Sequence, residues 1–544
     1  MANKNLKHIF ILFILSYLFL ILGNGILSLT NPDEVFYAQT AKEMIQHKSW
    51  LTPYLFGAPQ FEKPVFLYWL LRIGLVLFPN TNFAVRFFPA LFASFGVIAV
   101  YFLALIGFQN EKKAFISSLI LLSCGLYIGL ARTLFTDMIF SIFILFSLLS
   151  FYWSYSWNSK KGVGIILFFI FSALAVLTKG PLGFLIPLLS VLLFLFIRRD
   201  IGFLFCKYSL WGFAIFVAVS LPWYVFMIIK YGSSFTHEFF YNDHIRRFFT
   251  AEHLGNDKWY FYPFSMIGCM FPWSLYTLAS LIWLFRNIRK DRSPINIFLF
   301  SWVVSVFIIF QPAHSKLVSY IFPMFPALAL ITGNFIYSTA LFENKNRALF
   351  VISIIMAFIL FLIPAAAMFL LPKFSIYLSS KIPAYAAITL LFVFSGLFLS
   401  FILRKRFLRA IFTLSFMIPA LLFIVPFIHN SIEPYVSSKL ISEYLLKNYK
   451  VTNPIICSKF FARGVRYYTD KEIVIIGSNF FSPHPVTCLG SDQQIKDYLR
   501  SNPVTYCILK KSSAEDIKRI ADKEYKFSIL KIIGNEYLLQ IEHI

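Results

Sequence analysis

Apolar runs long enough to cross a membrane recur from the start of this chain to about residue 428. A helix needs roughly 17 to 25 apolar residues to span about 30 Å of hydrocarbon. Such runs lie near 8–28, 83–107, 114–130, 134–156, 163–178, 181–197, 208–229, 262–285, 295–312, 317–340, 348–371, 383–403 and 408–428, so thirteen crossings are expected. Only 14% of the residues are charged, against about 25% in soluble proteins. The expected fold class is a polytopic α-helical membrane protein. The first run ends at Asn31-Pro32-Asp33-Glu34 with no small-x-small cleavage site, so it reads as a membrane helix and not a signal peptide.

The formal charge of +24 does not point to nucleic acid. The lysines and arginines stand in short clusters between apolar runs, which is the pattern of topogenic charge, and a patch attracting anionic lipid headgroups is also compatible with them. Every second connection is basic: Lys4/Lys7, Lys112/Lys113, Lys160/Lys161, Arg198/Arg199/Lys207, Arg286/Arg289/Lys290/Arg292, Lys345/Arg347 and Arg404/Lys405/Arg406/Arg409. These segments face the cytoplasm by the positive-inside rule, and an odd number of spans then places the C-terminal tail outside.

The outer face holds the rarer residues: the loop 29–82, the turn from Arg132 to Asp137, Thr178-Lys179-Gly180-Pro181, the loop 230–261, and Ala313-His314-Ser315-Lys316. Within the first loop, Asp33 to Ile45 and Pro64 to Phe78 read as helices lying in the interface. Beyond residue 430 short β-branched runs alternate with polar helical patterns. The chain therefore divides into a membrane domain, 1–430, and a small external α/β domain, 431–544. Among Cys457, Cys488 and Cys507, one disulfide or three buried thiols are equally compatible with the pattern.

The inner loops are too short to form a nucleotide-binding domain, so the substrate is expected to be lipid-borne or external. Asp33 and Asp137 both fall at outer helix ends, where two carboxylates can serve as a general base with an electrostatic or acid partner. Lys63, Lys179, Arg246, Arg247 and Lys316 lie near the same face and suit a phosphate held while its bond breaks. A transporter is the reading from a different class. It should show charged or broken helices near the midplane and repeat symmetry, and the sequence displays neither.

Asn31-Pro32-Asp33-Glu34-x-x-Tyr37-Ala38, Phe61-Glu62-Lys63-Pro64-x-x-x-Tyr68-Trp69 and Ala84-x-Arg86-x-x-Pro89 follow one another in the first 89 residues. With Ala131-Arg132-Thr133, Thr136-Asp137-Met138, Leu177-Thr178-Lys179-Gly180 and Ser315-Lys316-Leu317-x-x-Tyr320, they make the chain resemble the membrane glycosyltransferases of the C-type superfold. The nearest group is that of the protein mannosyltransferases and lipid A aminoarabinose transferases. The resemblance implies a polyprenyl-phosphate-sugar donor and transfer on the periplasmic face of a bacterial inner membrane, with no nucleotide. The leading acceptor is lipid A and the leading sugar an amino sugar, aminoarabinose or a hexosamine such as galactosamine. Transfer of mannose or another hexose to a protein or glycan is the close alternative.

Carried over by position, Asp33 is the leading catalytic carboxylate, with Asp137 second and Glu34 completing the acidic signature. Lys63 and Tyr320, with Arg246 or Arg247, would hold the lipid phosphate. Arg86 and Arg132 belong to the same motifs. Glu62 and one of His244 or His253 would lie near a divalent metal, expected to be zinc. Two such ligands fall short of the three or four that a protein zinc site takes.

Overall fold

The structure is a computed structural model that describes residues 2–79, 81–250, 256–288, 292–342, 347–477, 486–521 and 524–544. His253 and three of the basic loop residues, Arg289, Lys290 and Lys345, lie outside the described residues.

Eight helices among the described residues are long and apolar enough to cross a membrane, and ten if each of two bent pairs counts as one span. By length and composition alone, the described helices do not confirm the expected thirteen. The expected spans at 181–197 and 295–312 are the 17-residue helices Leu182–Arg198 and Pro294–Phe310. The one at 262–285 is split into Phe261–Cys269 and Ser274–Asn287 around Pro272. The bent pairs, Glu111–Leu122 with Gly125–Ala131 (64°) and Phe407–Leu422 with Val425–Val436 (57°), are breaks that hydropathy does not reveal. A window average registers apolar content and is blind to a lost backbone hydrogen bond.

In the first outer loop the helices Asp33–Gln46 and Phe66–Leu77 form where expected. The first is no interfacial anchor: ten of its fourteen residues, including Glu34, Tyr37 and Glu43, are buried. Between the two helices a hairpin pairs Tyr54–Leu55 with Ala58–Pro59. Its turn residues Phe56 and Gly57 both have positive φ, the geometry that matches strand twist in a two-residue hairpin. The buried Glu43 carboxylate accepts from the amides of Phe56 (3.0 Å) and Gly57 (2.9 Å) and so fixes that turn.

The boundary expected at 430 falls inside helix Val425–Val436, and the α/β domain begins with helix Lys439–Asn448. Its sheet has six strands in the spatial order Cys488–Leu489, Ile473–Ile476, Ile455–Ser458, Val504–Leu509, Glu536–His543, Tyr525–Ile533. The first four run parallel, and Glu536–His543 is antiparallel to both of its neighbours. Alternation along Ile455–Ser458 sends Ile456 into one core and Ile455 and Cys457 into the other. Both sheet faces are thus covered, as a parallel sheet requires. All six cysteines are free.

This domain sits on the first outer loop. Tyr468 donates to the Leu29 carbonyl side of the contact and receives the Leu29 amide (2.9 Å), and Asn31 donates through its side chain to Ser438 (2.6 Å). Lys42 pairs with Asp470 (2.7 Å). Ser28 and Ser438 donate in turn to Glu433 and Glu536. Gly464 is packed so closely on Asn31 that a Cβ there would collide with the amide oxygen.

Burial pushes the Glu536 carboxyl up to about 8, and one of its oxygens has no partner, which suits a protonated acid. The folded state therefore keeps a proton that the unfolded chain releases above its ordinary value of 4.5. The contribution to stability is full below 4.5 and is lost as pH rises through about 8. Glu536→Gln is expected to flatten this slope and to raise the thermal midpoint at pH 8 more than at pH 5. An equal shift at both pH values would contradict it.

Candidate active site

Asp33, Asp137 and Lys179 are each held at the end of a helix. Asp33 opens Asp33–Gln46 and Asp137 lies in the first turn of Thr136–Ser156, positions where helix N-termini favour negative charge. Lys179 ends Lys161–Lys179, at the C-terminus, where a cation is favoured. Its ammonium bonds Asp137 at 2.6 Å and stands 5.1 Å from the centre of the Tyr320 ring.

The expected outer loop 230–261 begins as helix. Lys207–Thr236 runs on into a π-helical stretch, His237–Arg246, and a last short turn, Arg247–Phe249. Widened turns of this kind are frequent at functional sites. This one turns Asp243, His244 and Arg247 toward the same cavity. The Asp243 carboxylate bridges Lys63 (2.9 Å) and Arg247 (3.0 Å). The His244 Nδ1 donates to the Phe239 carbonyl (2.7 Å), which leaves Nε2 facing Gly180. Gly180 has φ +107, and a Cβ there would sit 2.7 Å from that nitrogen.

These residues line a cavity of about 410 Å³. One part is polar, with Lys63, Lys179, Asp243, His244, Arg247 and Tyr320; the rest is apolar, with Phe140, Leu182, Leu185, Ile308, Ile309 and Phe310 among its walls. Such a surface suits an anionic headgroup joined to a hydrocarbon chain.

Asp33 is not part of the cavity wall and is itself exposed, but its carboxyl feels the charges of Lys63 and Asp137. Partial burial nevertheless pushes its carboxyl above the ordinary value, Glu34 and Asp137 push the same way, and Arg463 and Lys63 oppose them. Glu62 is likewise raised by burial, with Arg463 opposing and Asp243 adding to the rise. Arg463 comes from helix Lys459–Thr469 of the C-terminal domain, with its guanidinium 3.9 Å from Glu62 and 4.5 Å from the centre of the Phe36 ring. Arg463→Gln removes a charge that holds Asp33 down. The acid limb of a pH–rate profile is expected to move to higher pH in this variant, because Asp33 must then reach a higher pH to ionise. An unmoved limb would refute the coupling.

Other expected site residues are placed elsewhere. Glu34 is fully buried and accepts five hydrogen bonds, from Arg86 Nε (2.7 Å) and Nη2 (2.6 Å), the Thr30 amide (3.0 Å) and hydroxyl (2.9 Å), and the Leu134 amide (2.8 Å). It organises the loop beneath Asp33 and does not face the cavity. Arg86 completes that knot. Arg132 donates to the carbonyls of Phe19 and Leu22 at the end of the first helix. Lys316 is buried and donates to the carbonyls of Asp257 (2.9 Å) and Lys258 (3.1 Å), so it braces the segment after 256 and does not line the cavity. Arg246 is exposed and is absent from the cavity wall.

Among the described residues no three histidine, cysteine, aspartate or glutamate side chains gather as a metal site. Glu62 faces Arg463, and His244 contributes one nitrogen. Among the described residues this donor set does not fit a protein-held zinc.

Two further site residues carry no motif of their own. Asp243 lies among the cations of its loop, and its spacing of four from Arg247 marks an ion pair on a helix. Arg463 lies in a segment with no motif, and only the docking of the domain brings it to Glu62.

The helical membrane body thus carries an acidic outer loop and a cationic cavity set beside an apolar wall. Residues 5–236 match the family of dolichyl-phosphate-mannose-protein mannosyltransferases. The fold is that of ArnT from Cupriavidus metallidurans, solved bound to undecaprenyl phosphate, with a TM-score of 0.79 over 99% of this chain and 98% of that one, at 17% identity. In sequence the chain is 33% identical over 318 residues (58% of this chain, 56% of the relative) to the undecaprenyl phosphate-alpha-4-amino-4-deoxy-L-arabinose arabinosyl transferase of Serratia proteamaculans (strain 568). It is 31% identical over 325 residues (60% and 63%) to an uncharacterized protein of Aquifex aeolicus (strain VF5). The chain thus matches less than two thirds of the length of these curated relatives.

Proposed function

We propose that this chain is a glycosyltransferase that moves a sugar from a polyprenyl phosphate to an acceptor on the outer face of a bacterial inner membrane. The reading rests on the cavity where Lys63, Lys179 and Arg247 meet an apolar wall beside Asp33. The N-terminus is cytoplasmic and the C-terminal domain periplasmic, in keeping with the basic inner loops. The sugar is an amino sugar, aminoarabinose or a hexosamine, and the acceptor is lipid A. The aminoarabinose transferase of Serratia and the undecaprenyl-phosphate-bound ArnT support this choice over a transporter.

Chemically the step is displacement at the anomeric carbon. A phosphate is already a good leaving group, so cations that take up its developing charge suffice and no acid need protonate it. Lys63, Lys179 and Arg247 fill that role, while Asp137 orients Lys179 and Asp243 orients Lys63 and Arg247. Asp33 stabilises the positive charge growing on the sugar, or accepts the proton when the acceptor is a hydroxyl. A single displacement inverts the anomeric configuration.

Mass spectrometry of lipid A from cells with and without the gene tests the reading. Loss of an amino-sugar increment on deletion is the expected result. Unchanged lipid A together with lost protein glycosylation would favour transfer to protein, which the match to the protein mannosyltransferase family makes the second reading.

A further inference from the structure

A second cavity, of about 280 Å³, lies where the C-terminal domain meets the first outer loop. Three cations line it, Lys459, Arg463 and Lys510, with Phe56 and Pro32 from the loop and Phe460 from the domain. No carboxylate is among its described lining residues. Lys510 extends over the Phe460 ring, 5.0 Å from its centre, and its amide is fixed by the Ser458 hydroxyl (3.0 Å).

The location follows from topology. Strand Ile455–Ser458 pairs with Ile473–Ile476 on one side and with Val504–Leu509 on the other. The chain thus leaves these two adjacent parallel strands in opposite directions, through helices Lys459–Thr469 and Lys511–Ala521. In open α/β sheets such a switch point, outside the carboxyl ends of the strands, is where ligands bind. Lys459 and Lys510 are the first residues beyond those two strand ends.

The cavity also borders the reaction centre. Pro32, in its wall, is the neighbour of Asp33, and Arg463, also in its wall, reaches Glu62. Lys63 belongs to the first cavity. The carboxylates of Asp33 and Glu62 thus feel cations of both cavities, Lys63 of the first and Arg463 of the second.

We propose that this second cavity holds a phosphate group of the acceptor, a phosphorylated glycolipid, and so makes the C-terminal domain part of the acceptor site. The proposal rests on the glycosyltransferase reading for its substrate. An oxygen of the bound phosphate attacks the anomeric carbon. The carbon–oxygen bond to the donor phosphate breaks, its electron pair leaves with the polyprenyl phosphate, and the sugar becomes bonded to the acceptor phosphate. The acceptor phosphate is already ionised, so no proton has to be moved. Arg463, shared between the cavity wall and Glu62, orients the phosphate toward the sugar.

The full-length protein in nanodiscs, carrying Lys459→Glu with Lys510→Glu, provides the test. Removing charged hydrogen bonds to a phosphate is expected to raise the KM for bisphosphorylated lipid A by about 10- to 100-fold. The KM for the polyprenyl-phosphate sugar should change less than about twofold, because the donor cations are elsewhere. The charge-preserving pair Lys459→Arg with Lys510→Arg should behave as wild type. An unchanged acceptor KM, or an equal rise for the donor, would overturn the proposal.

Direct binding separates this outcome from failure of the glycosyltransferase reading. Wild-type protein should bind bisphosphorylated lipid A more tightly than phosphatase-treated lipid A, and the glutamate pair should lose the difference, whether or not transfer occurs. Absence of transfer with that difference intact would count against the glycosyltransferase reading alone. Equal competition by glucosamine 1-phosphate would overturn the lipid assignment and make the ligand a free sugar phosphate.

Discussion

Asp33→Asn is expected to lower sugar transfer by roughly 10²- to 10⁴-fold, the range attached to a positioned acid–base group or to loss of a charge that stabilises a transition state. The substitution is nearly isosteric and leaves the residue exposed at the first turn of helix Asp33–Gln46. Folding and donor binding should therefore survive, because the Glu34–Arg86 knot and the Lys63, Lys179 and Arg247 cavity are made by other residues. Initial rates with a radiolabelled polyprenyl-phosphate sugar, beside donor binding on the same preparation, separate the two effects. More than about a tenth of wild-type rate would remove Asp33 from the reaction. The same loss in Glu34→Gln would have a different meaning, since that carboxylate is fully buried beneath the site.

Arg86→Met should be the most damaging single change to the fold. The five N–H groups of a guanidinium all have acceptors here: both Glu34 oxygens and the carbonyls of Asn24, Leu27 and Ser28. Methionine fills much of the volume but leaves Glu34 as a buried charge without its cation, together with three carbonyls that lose a donor. Breaking a buried pair in this way costs about 3–5 kcal/mol. The thermal midpoint of the purified protein should fall accordingly, and activity should be lost with it. Adding Glu34→Met to Arg86→Met removes the orphaned charge and should recover part of the midpoint. A double variant no more stable than the single would show that the carbonyl bonds, and not the ion pair, carry the effect.

Much of this was legible in residue order. Membrane helices announce themselves because every backbone group in hydrocarbon must be satisfied within its own segment, so each span is a local, length-limited signal. The strands Ile473–Ile476 and Val504–Leu509 were similarly visible as β-branched runs. Helix Lys459–Thr469 was not, since its aromatic and basic residues carry no apolar run; its pattern becomes intelligible only once one face packs on the sheet and the other on the first loop.

At the site, the cations Lys63, Lys179 and Arg247 and the acids Asp33 and Asp137 stood out because charge at a membrane face is rare. The tertiary structure sorted them. Glu34 and Asp33 are adjacent in sequence, yet a helix turns successive residues about 100° apart, so one is locked beneath the site and the other faces outward. Lys316 and Lys179 look equivalent as outer-face lysines. One braces backbone carbonyls while the other meets Asp137.

By itself the sequence determined what is local: a polytopic helical body, a small α/β domain after it, and an outer face where the scarce charges gather. Only the tertiary structure decided which of those charges share a cavity, that Asp243 ties Lys63 to Arg247, and that Arg463 enters from more than 400 residues away in the chain. The reason is physical. Burial and chain length are paid for locally by each helix, whereas an electrostatic site depends on distances of a few ångströms between segments that nothing in their own sequence brings together.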